Sequence, residues 1–205
     1  MAYLVLVRHG ESTWNARGIW TGWKNPPLSQ KGLGEARQAG KLLNDIKFDL
    51  AYTSSLIRAK QTLEEIEKIL GVSLATFENS ALNERDYGNY TGKNKWDILK
   101  ELGESGFKKL RRGWDVPIPN GETLKDVYNR VIPYYKNEIL PKVCASKNVL
   151  ISAHGNSLRA LVKYLDGLTD SEVENLEIAT GEVIVYRIDE NGKVATKEIR
   201  QSAAI

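Results

Sequence analysis

The chain holds two histidines, His9 and His154, and each stands directly after an apolar run: Leu4-Val-Leu-Val-Arg8-His9-Gly10 and Val149-Leu-Ile-Ser-Ala-His154-Gly155-Asn156. Such runs read as buried strands, and in an open parallel sheet ligands bind beyond the carboxyl ends of strands. Both imidazoles are therefore expected at one sheet edge. Each is followed by glycine, which lets a ligand approach the backbone, and the residues beyond are expected to open helices whose free N–H groups favour anions. A free imidazole has a pKa near ~6.5, so at neutral pH it is largely an unprotonated nucleophile able to attack phosphorus. One strand-end histidine would read as a structural residue. Two in matching contexts point to a shared pocket for phosphate.

Arg8 precedes the first histidine, Arg58 opens the helix after the run Asp49 to Thr53, and Arg111 and Arg112 are adjacent. An arginine grips phosphate in a bidentate fork; at ~4 Å and an effective dielectric of ~20 each charge pair contributes about 4 kcal/mol before desolvation. Four arginines at one edge would make a dianion site, although Arg111 and Arg112 fit a solvated basic face equally well by pattern, and Arg58 fits a surface helix position. Phosphoryl transfer also needs a proton donor. Glu84, in Leu82-Asn-Glu-Arg-Asp-Tyr-Gly88, lies in an irregular segment from which a carboxyl can protonate a leaving oxygen, a contribution of roughly 10²–10⁴-fold. Its alternative is a surface ion pair with Arg85.

These residues require a sheet to hold them. Apolar runs alternate with helical patterns: Tyr3 to Val7, Lys31 to Asn44, Asp49 to Thr53, Leu56 to Leu70 and Ser73 to Phe77, then Trp96 to Leu102, Phe107 to Arg111, a long helix from Thr123, the run Asn148 to Ala153, and Leu158 to Leu165. This order predicts an α/β fold in three layers, a mostly parallel sheet of about six strands with helices on both faces. Glu182 to Asp189 and Lys193 to Arg200 flank Asn191-Gly192, which predicts an antiparallel edge hairpin with a tight positive-φ turn. Ser29 and Thr123 read as helix starts, Gly71 as a stop and Pro133 as a kink. The longest loops, Arg17 to Pro27 and Gly113 to Glu122, are of the kind that often carries function.

Length and composition bound the rest. A chain of 205 residues, 41% hydrophobic and 27% charged, is expected to fold as one domain spanning 1–205. A net charge of +3 is too mild to suggest a nucleic-acid partner, and no run approaches the ~18 apolar residues of a membrane span. The first apolar run is too short for a signal peptide, so the expected location is cytoplasmic. Cys144 is the single cysteine, which excludes an intrachain disulfide. Two histidines without a cysteine pair exclude a zinc site of usual spacing, while magnesium stays open. No Walker-type phosphate loop, dinucleotide fingerprint or nucleophile elbow is present, and the sequon Asn89-Tyr-Thr91 carries no weight without an export signal.

At Arg8-His9-Gly10-Glu11 the sequence resembles the histidine phosphatase superfamily. The resemblance narrows to the cofactor-dependent phosphoglycerate mutases through Arg8-His-Gly-Glu-Ser-Thr-Trp-Asn15, Thr21-Gly-Trp23, Pro27-Leu-Ser-Gln-Lys-Gly32 and Ser54-Ser-Leu-Ile-Arg-Ala-Lys-Gln-Thr62. It continues in Leu82-Asn-Glu-Arg85, Leu110-Arg-Arg-Gly113 and His154-Gly-Asn-Ser-Leu-Arg-Ala-Leu-Val162. It implies an isomerase of glycolysis and gluconeogenesis in which phosphorylated His9 donates to 2- or 3-phosphoglycerate, the 2,3-bisphosphate reorients, and the other phosphate returns to His9. By the same resemblance His154, Arg8 and Arg58 stabilise the transferring phosphoryl and Glu84 moves the proton. Asn15, Thr21, Gly22, Tyr87, Lys95, Arg111, Arg112, Gly155 and Asn156 become substrate contacts, 2,3-bisphosphoglycerate becomes the priming cofactor, and no metal is expected.

Two departures stand out. Asp86 occupies the place where the family usually has histidine, in Glu-Arg-His-Tyr, and the region between Val116 and Glu122 is shorter than in longer members. A smaller lid would admit water and raise hydrolysis of the bisphosphate. The rival readings are a phosphatase of the same superfamily, in which water takes the phosphoryl from His9, and a non-catalytic anion-binding module built on the arginines. Subunit association, monomer or homo-oligomer, is left undecided.

Overall fold

The computed structural model describes residues 1–201. Its first half runs β1 (Ala2–Arg8), α1 (Thr13–Ala16), α2 (Gln30–Lys41), β2 (Leu50–Thr53), α3 (Ile57–Leu70), β3 (Ala75–Glu78) and α4 (Lys95–Arg112). The second half runs α5 (Leu124–Tyr134), a π turn at Tyr135–Ile139, α6 (Leu140–Cys144), β4 (Val149–Ala153), α7 (Gly155–Asp166), α8 (Asp170–Asn175), β5 (Val183–Ile188) and β6 (Val194–Arg200). The six strands form one sheet in the order β3-β2-β4-β1-β5-β6. β1, β2, β3 and β4 are mutually parallel where they pair, while β5 and β6 are antiparallel, as the sequence predicts.

Alternation along β1 divides the core. Leu4 and Leu6 pack with residues of α5 and α7 on one face, whereas Val5 and Val7 pack with residues of α2 and α3 on the other. All four side chains are fully buried; burying each contributes about 1.5–3 kcal/mol. Three layers follow from this period of two. In the β1/β4 register Leu4 lies opposite Val149 and Arg8 opposite Ala153. The two strands therefore end level, and His9 and His154 emerge side by side, with the His9 N–H donating to the Ala153 carbonyl at 2.9 Å.

Local signals behave largely as the sequence predicts. The Ser29 hydroxyl accepts from the Gly32 N–H, Thr123 and Asp126 form a reciprocal cap, and Gly71 ends α3 at φ 66°. Four details differ. α7 begins at Gly155 rather than Leu158, because its first turn is polar: the His154 N–H donates to the Ser157 hydroxyl at 3.1 Å, which a hydrophobic pattern does not register. At Pro133, which has no N–H to give, the helix continues and passes into the π turn that starts at Tyr135. The two segments expected at 96–102 and 107–111 form α4, interrupted at Gly103 with φ 68°. The hairpin turn uses only Gly192 at positive φ, 79°; the Asp189 carboxylate accepts from the N–H groups of Asn191 and Lys193, producing a longer loop than an Asn-Gly two-residue turn.

Gly10 serves packing, contrary to the ligand-approach role expected of it. A Cβ there would lie 2.2 Å from the Gly32 carbonyl oxygen, and one on Gly32 would lie 2.0 Å from that of Glu11. The histidine loop and the start of α2 thus meet backbone to backbone. Replacing Gly10 by alanine is expected to cost about 3 kcal/mol, the upper end for overpacking, read as a lowered urea midpoint at unchanged slope.

Candidate active site

Each functional side chain is held by an element whose position the sheet dictates. The His9 ring is buried, and its Nδ1 lies 2.6 Å from the Gly10 carbonyl oxygen. A carbonyl only accepts, so Nδ1 carries the proton and Nε2 presents the lone pair. Arg58, in the first turn of α3, donates from Nε to that Nε2 at 3.3 Å. Its other nitrogens donate to the carbonyls of Lys24 at 2.9 Å and Gly22 at 3.0 Å. Burial, followed by the charges of Arg58 and Arg8, holds the His9 pKa well below the usual imidazole value. The ring is a neutral nucleophile of fixed tautomer beside two cations.

His154 lies behind His9, with ring centroids 4.9 Å apart. It is completely enclosed, its Nε2 is 2.7 Å from the Ser54 hydroxyl, and its Nδ1 has no partner. Burial and the Arg58 charge depress its pKa as well. Glu84 is buried and forms no ion pair with Arg85, contrary to the surface alternative. Its Oε1 accepts from the Arg85 N–H at 2.8 Å and from the Asn156 backbone and side-chain amides at 3.2 and 2.9 Å. Oε2 lies beside Gly155, where a Cβ would approach to 3.8 Å. Burial raises the Glu84 pKa, but these donors and the charges of Arg58 and Arg8 outweigh it and leave the carboxyl below its ordinary range. Glu84 is therefore ionised, with one oxygen anchored and one available.

A cavity of about 80 Å³, open at its mouth, joins these groups. Arg8, His9, Asn15, Thr21, Arg58, Glu84, Tyr87, Lys95, Arg111, Arg112, Gly155 and Asn156 all line it. Two expected site residues do not. His154 is covered by its neighbours, and Gly22, at φ 50°, contributes only the carbonyl that seats Arg58. Trp20, Arg159, Glu177 and Ile178 line the cavity without having been singled out by sequence. Arg159 falls inside the run after His154, where helical periodicity made it look ordinary; Glu177 belongs to an irregular segment with no pattern at all.

Six cationic side chains line this space against two carboxylates, Glu84 and Glu177. Arg8 donates from Nη1 to the Ile178 carbonyl at 2.5 Å, while its buried Nε has no partner. Lys95 sits over the Trp20 ring; burial, then the charges of Arg111 and Arg8, lower its pKa to about 8. Arg112 pairs with Glu177, and Arg111 stands 3.9 Å from the same carboxylate. Spare donors and depressed cation pKa values have one common remedy, an anion in the cavity. His9, Glu84 and His154 place ligand atoms within 4.8 Å of one another, a spacing a divalent cation would accept. Arg58 already occupies the His9 lone pair and faces the other two groups, so the local field opposes a cation.

A sequence model of the histidine phosphatase superfamily, branch 1, matches residues 4–199, and the chain belongs to that superfamily. Among its relatives are proteins named 2,3-bisphosphoglycerate-dependent phosphoglycerate mutase. The one from Chelativorans sp. (strain BNC1) is 51% identical over 96% of this chain and 97% of its own, and that from Rhizobium meliloti (strain 1021) is 48% identical over 96% and 94%. Solved structures of the same fold include the alpha-ribazole phosphatase from Shigella flexneri, at TM-score 0.77 and 26% identity over 97% of this chain and 94% of that one. A phosphoglycerate mutase from Bacillus anthracis str. Sterne superimposes with TM-score 0.77 at 24% identity, covering 97% and 93%.

The two buried imidazoles give stability a defined pH dependence. As pH falls below ~6.5 the unfolded chain binds two protons that the native state refuses, so acid favours unfolding. Stability is expected to be full above that pH and to decline below it by up to about 1.4 kcal/mol per unit for each histidine. Urea unfolding between pH 7.5 and 5.5 measures the slope, and a flat profile would contradict the neutral assignment.

Proposed function

We propose that this chain interconverts 3-phosphoglycerate and 2-phosphoglycerate through a phosphohistidine at His9 Nε2, primed by 2,3-bisphosphoglycerate. The observation that carries the reading is a neutral imidazole with its Nε2 lone pair turned to Arg58, in one cavity with a second cationic group, Lys95, Arg111 and Arg112. One phosphoryl at His9 and one anionic group at the second cluster describe a bisphosphate and its two monophosphates. The chain acts as a single domain of 1–205, of which residues 202–205 lie outside the described ones, and works in the cytoplasm.

The cycle begins with phosphorylated His9. The free hydroxyl of a bound phosphoglycerate attacks phosphorus, the P–N bond to Nε2 breaks, and the hydroxyl proton passes to Glu84 Oε2. Arg8 and Arg58 bear the charge of the transferring group, donors held in place before reaction, while His154, covered behind His9, supports the nucleophile's ring. Glu84 is ionised beforehand, as this step requires. The bisphosphate then turns over within the cavity, His9 attacks the other phosphorus, and Glu84 returns its proton to the departing alkoxide. Asn15, Thr21, Tyr87, Gly155 and Asn156 shape the substrate's seat, and Gly22 acts on it only through the carbonyl that holds Arg58. Asn15 gives its carbonyl to Ser12, which leaves the amide NH₂ for an anion. No step calls for a metal.

A phosphatase would share the first transfer and differ in the acceptor. The deciding assay is mutase turnover with and without 2,3-bisphosphoglycerate and with a chelator: stimulated, chelator-insensitive interconversion is expected, and hydrolysis without interconversion would assign the chain to the phosphatases. His9→Ala should abolish the acid-labile, alkali-stable phosphoryl group. Glu84→Gln should lower kcat by roughly 10²–10⁴-fold while leaving that phosphoryl group detectable after bisphosphate loading. The short 116–122 segment should give bisphosphate hydrolysis in excess of that of longer members, measured as the ratio of hydrolysis to mutase turnover.

A further inference from the structure

We propose that Arg159 is a positioning residue for proton transfer, fixing the Asn156 amide so that Glu84 is held by one oxygen and offers the other to the substrate. The inference rests on the reading of Glu84 as the proton carrier. Arg159 lies one helical turn after Asn156 on α7 and is only 3% exposed. Its Nη1 donates to Asn156 Oδ1 at 3.0 Å, and its Nη2 donates to the carbonyls of Val173 at 2.6 Å and Arg112 at 3.1 Å. Among the described residues no carboxylate pairs with it.

The chemistry of the groups forces the orientation. A guanidinium only donates and an ionised carboxylate only accepts, whereas a primary amide has one end of each kind. With Arg159 on Oδ1, Asn156 must turn Nδ2 toward Glu84 Oε1 and the Tyr87 hydroxyl, both at 2.9 Å. Without Arg159 the amide has no preference at its outer end. A flipped amide would set its carbonyl oxygen against the carboxylate and leave Oε1 held only by the backbone N–H groups of Arg85 and Asn156, which loosens the carboxyl's orientation in the cavity.

A buried guanidinium without a counter-ion is expensive, and burial lowers its pKa to about 10. A methionine would fill similar space without that cost. The position also explains why its remaining donors reach two other elements. The Arg112 carbonyl belongs to the end of α4 that carries Arg111 and Arg112, and the Val173 carbonyl belongs to α8, just before the segment that holds Glu177 and Ile178. One guanidinium thus gives the proton-transfer carboxylate and the far anion cluster a common anchor.

The test compares Arg159→Met, Arg159→Lys, Asn156→Ala, the Met/Ala double variant and Glu84→Gln in the full-length enzyme, with circular dichroism and urea unfolding as fold controls. The charged and titratable groups around Glu84 are Arg8, Arg58, Lys95, Tyr87, His9, His154 and Arg159 itself, and all but Arg159 stay in place in its variants. Arg159→Met is expected to lower kcat roughly tenfold or more, with a smaller change in KM, because proton transfer weakens by about 1.4 kcal/mol or more. It should also move the acid limb of the kcat/KM profile upward. Arg159→Lys, which keeps one donor, should recover most of kcat. Because Arg159 acts through Asn156, the double variant should lose no more than Asn156→Ala alone. Should the methionine variant fail to fold, Arg159→Gln and its double variant with Asn156→Ala take its place in the cycle. Losses that multiply across the cycle, or a wild-type kcat and acid limb in a folded Arg159→Met, would overturn the inference alone. Full turnover in Glu84→Gln would remove the reading of Glu84 and this inference with it.

Discussion

Two parallel strands ending at the same height set the conditions for everything at the site. Because Arg8 pairs with Ala153, the next residue of each strand is a histidine, and the two rings leave the sheet together. The helices on either face then bring Arg58 from α3 and Asn156 from α7 to the same point. A slip of one residue in this register would turn every β1 side chain to the opposite face and separate the rings. The packing of Leu4 and Leu6 on one face and Val5 and Val7 on the other opposes that slip. Core packing thus positions the imidazoles without any bond between them.

The electrostatic character follows from enclosure. Cations gathered in a cavity repel one another and lose hydration, which is why Lys95, Arg58 and Arg159 all hold their protons less tightly than in water. The carbonyls of Gly22, Lys24, Leu176 and Ile178 offset part of this penalty. What they leave over is a fixed positive field with unpaired donors at Arg8 Nε and Arg159 Nε. Such a field strengthens as water leaves and requires no rearrangement when a charged group arrives. The folding core meets the strain of keeping it.

Much of this was legible in the sequence, and the reasons differ by residue. His9 and His154 were readable because strand runs are short and the chain has no other histidines to confuse them. The far arginines were readable as a pair but not as a site, since pattern alone gives a basic helix end no direction; only the return of α4 to the strand ends settles it. Gly22 and Gly10 show the opposite error. Both sit in expected site motifs, yet one contributes a carbonyl and the other a close backbone contact. Arg159 was hidden because a charged residue within an amphipathic run is usually solvated, and nothing in spacing reveals that its three acceptors come from α7, α8 and the end of α4. Short elements such as α1 and α8 were too brief to show a period.

The pairing of Glu177 with Arg112, and more loosely with Arg111, carries a further consequence. The carboxylate belongs to the chain itself, is well exposed, and sits on the cations that an incoming anion must reach. Occupancy of that end of the cavity is therefore an exchange in which one ion pair replaces another, and net affinity is the difference between them. The enzyme carries a tethered competitor whose local concentration is fixed by the fold and does not respond to dilution.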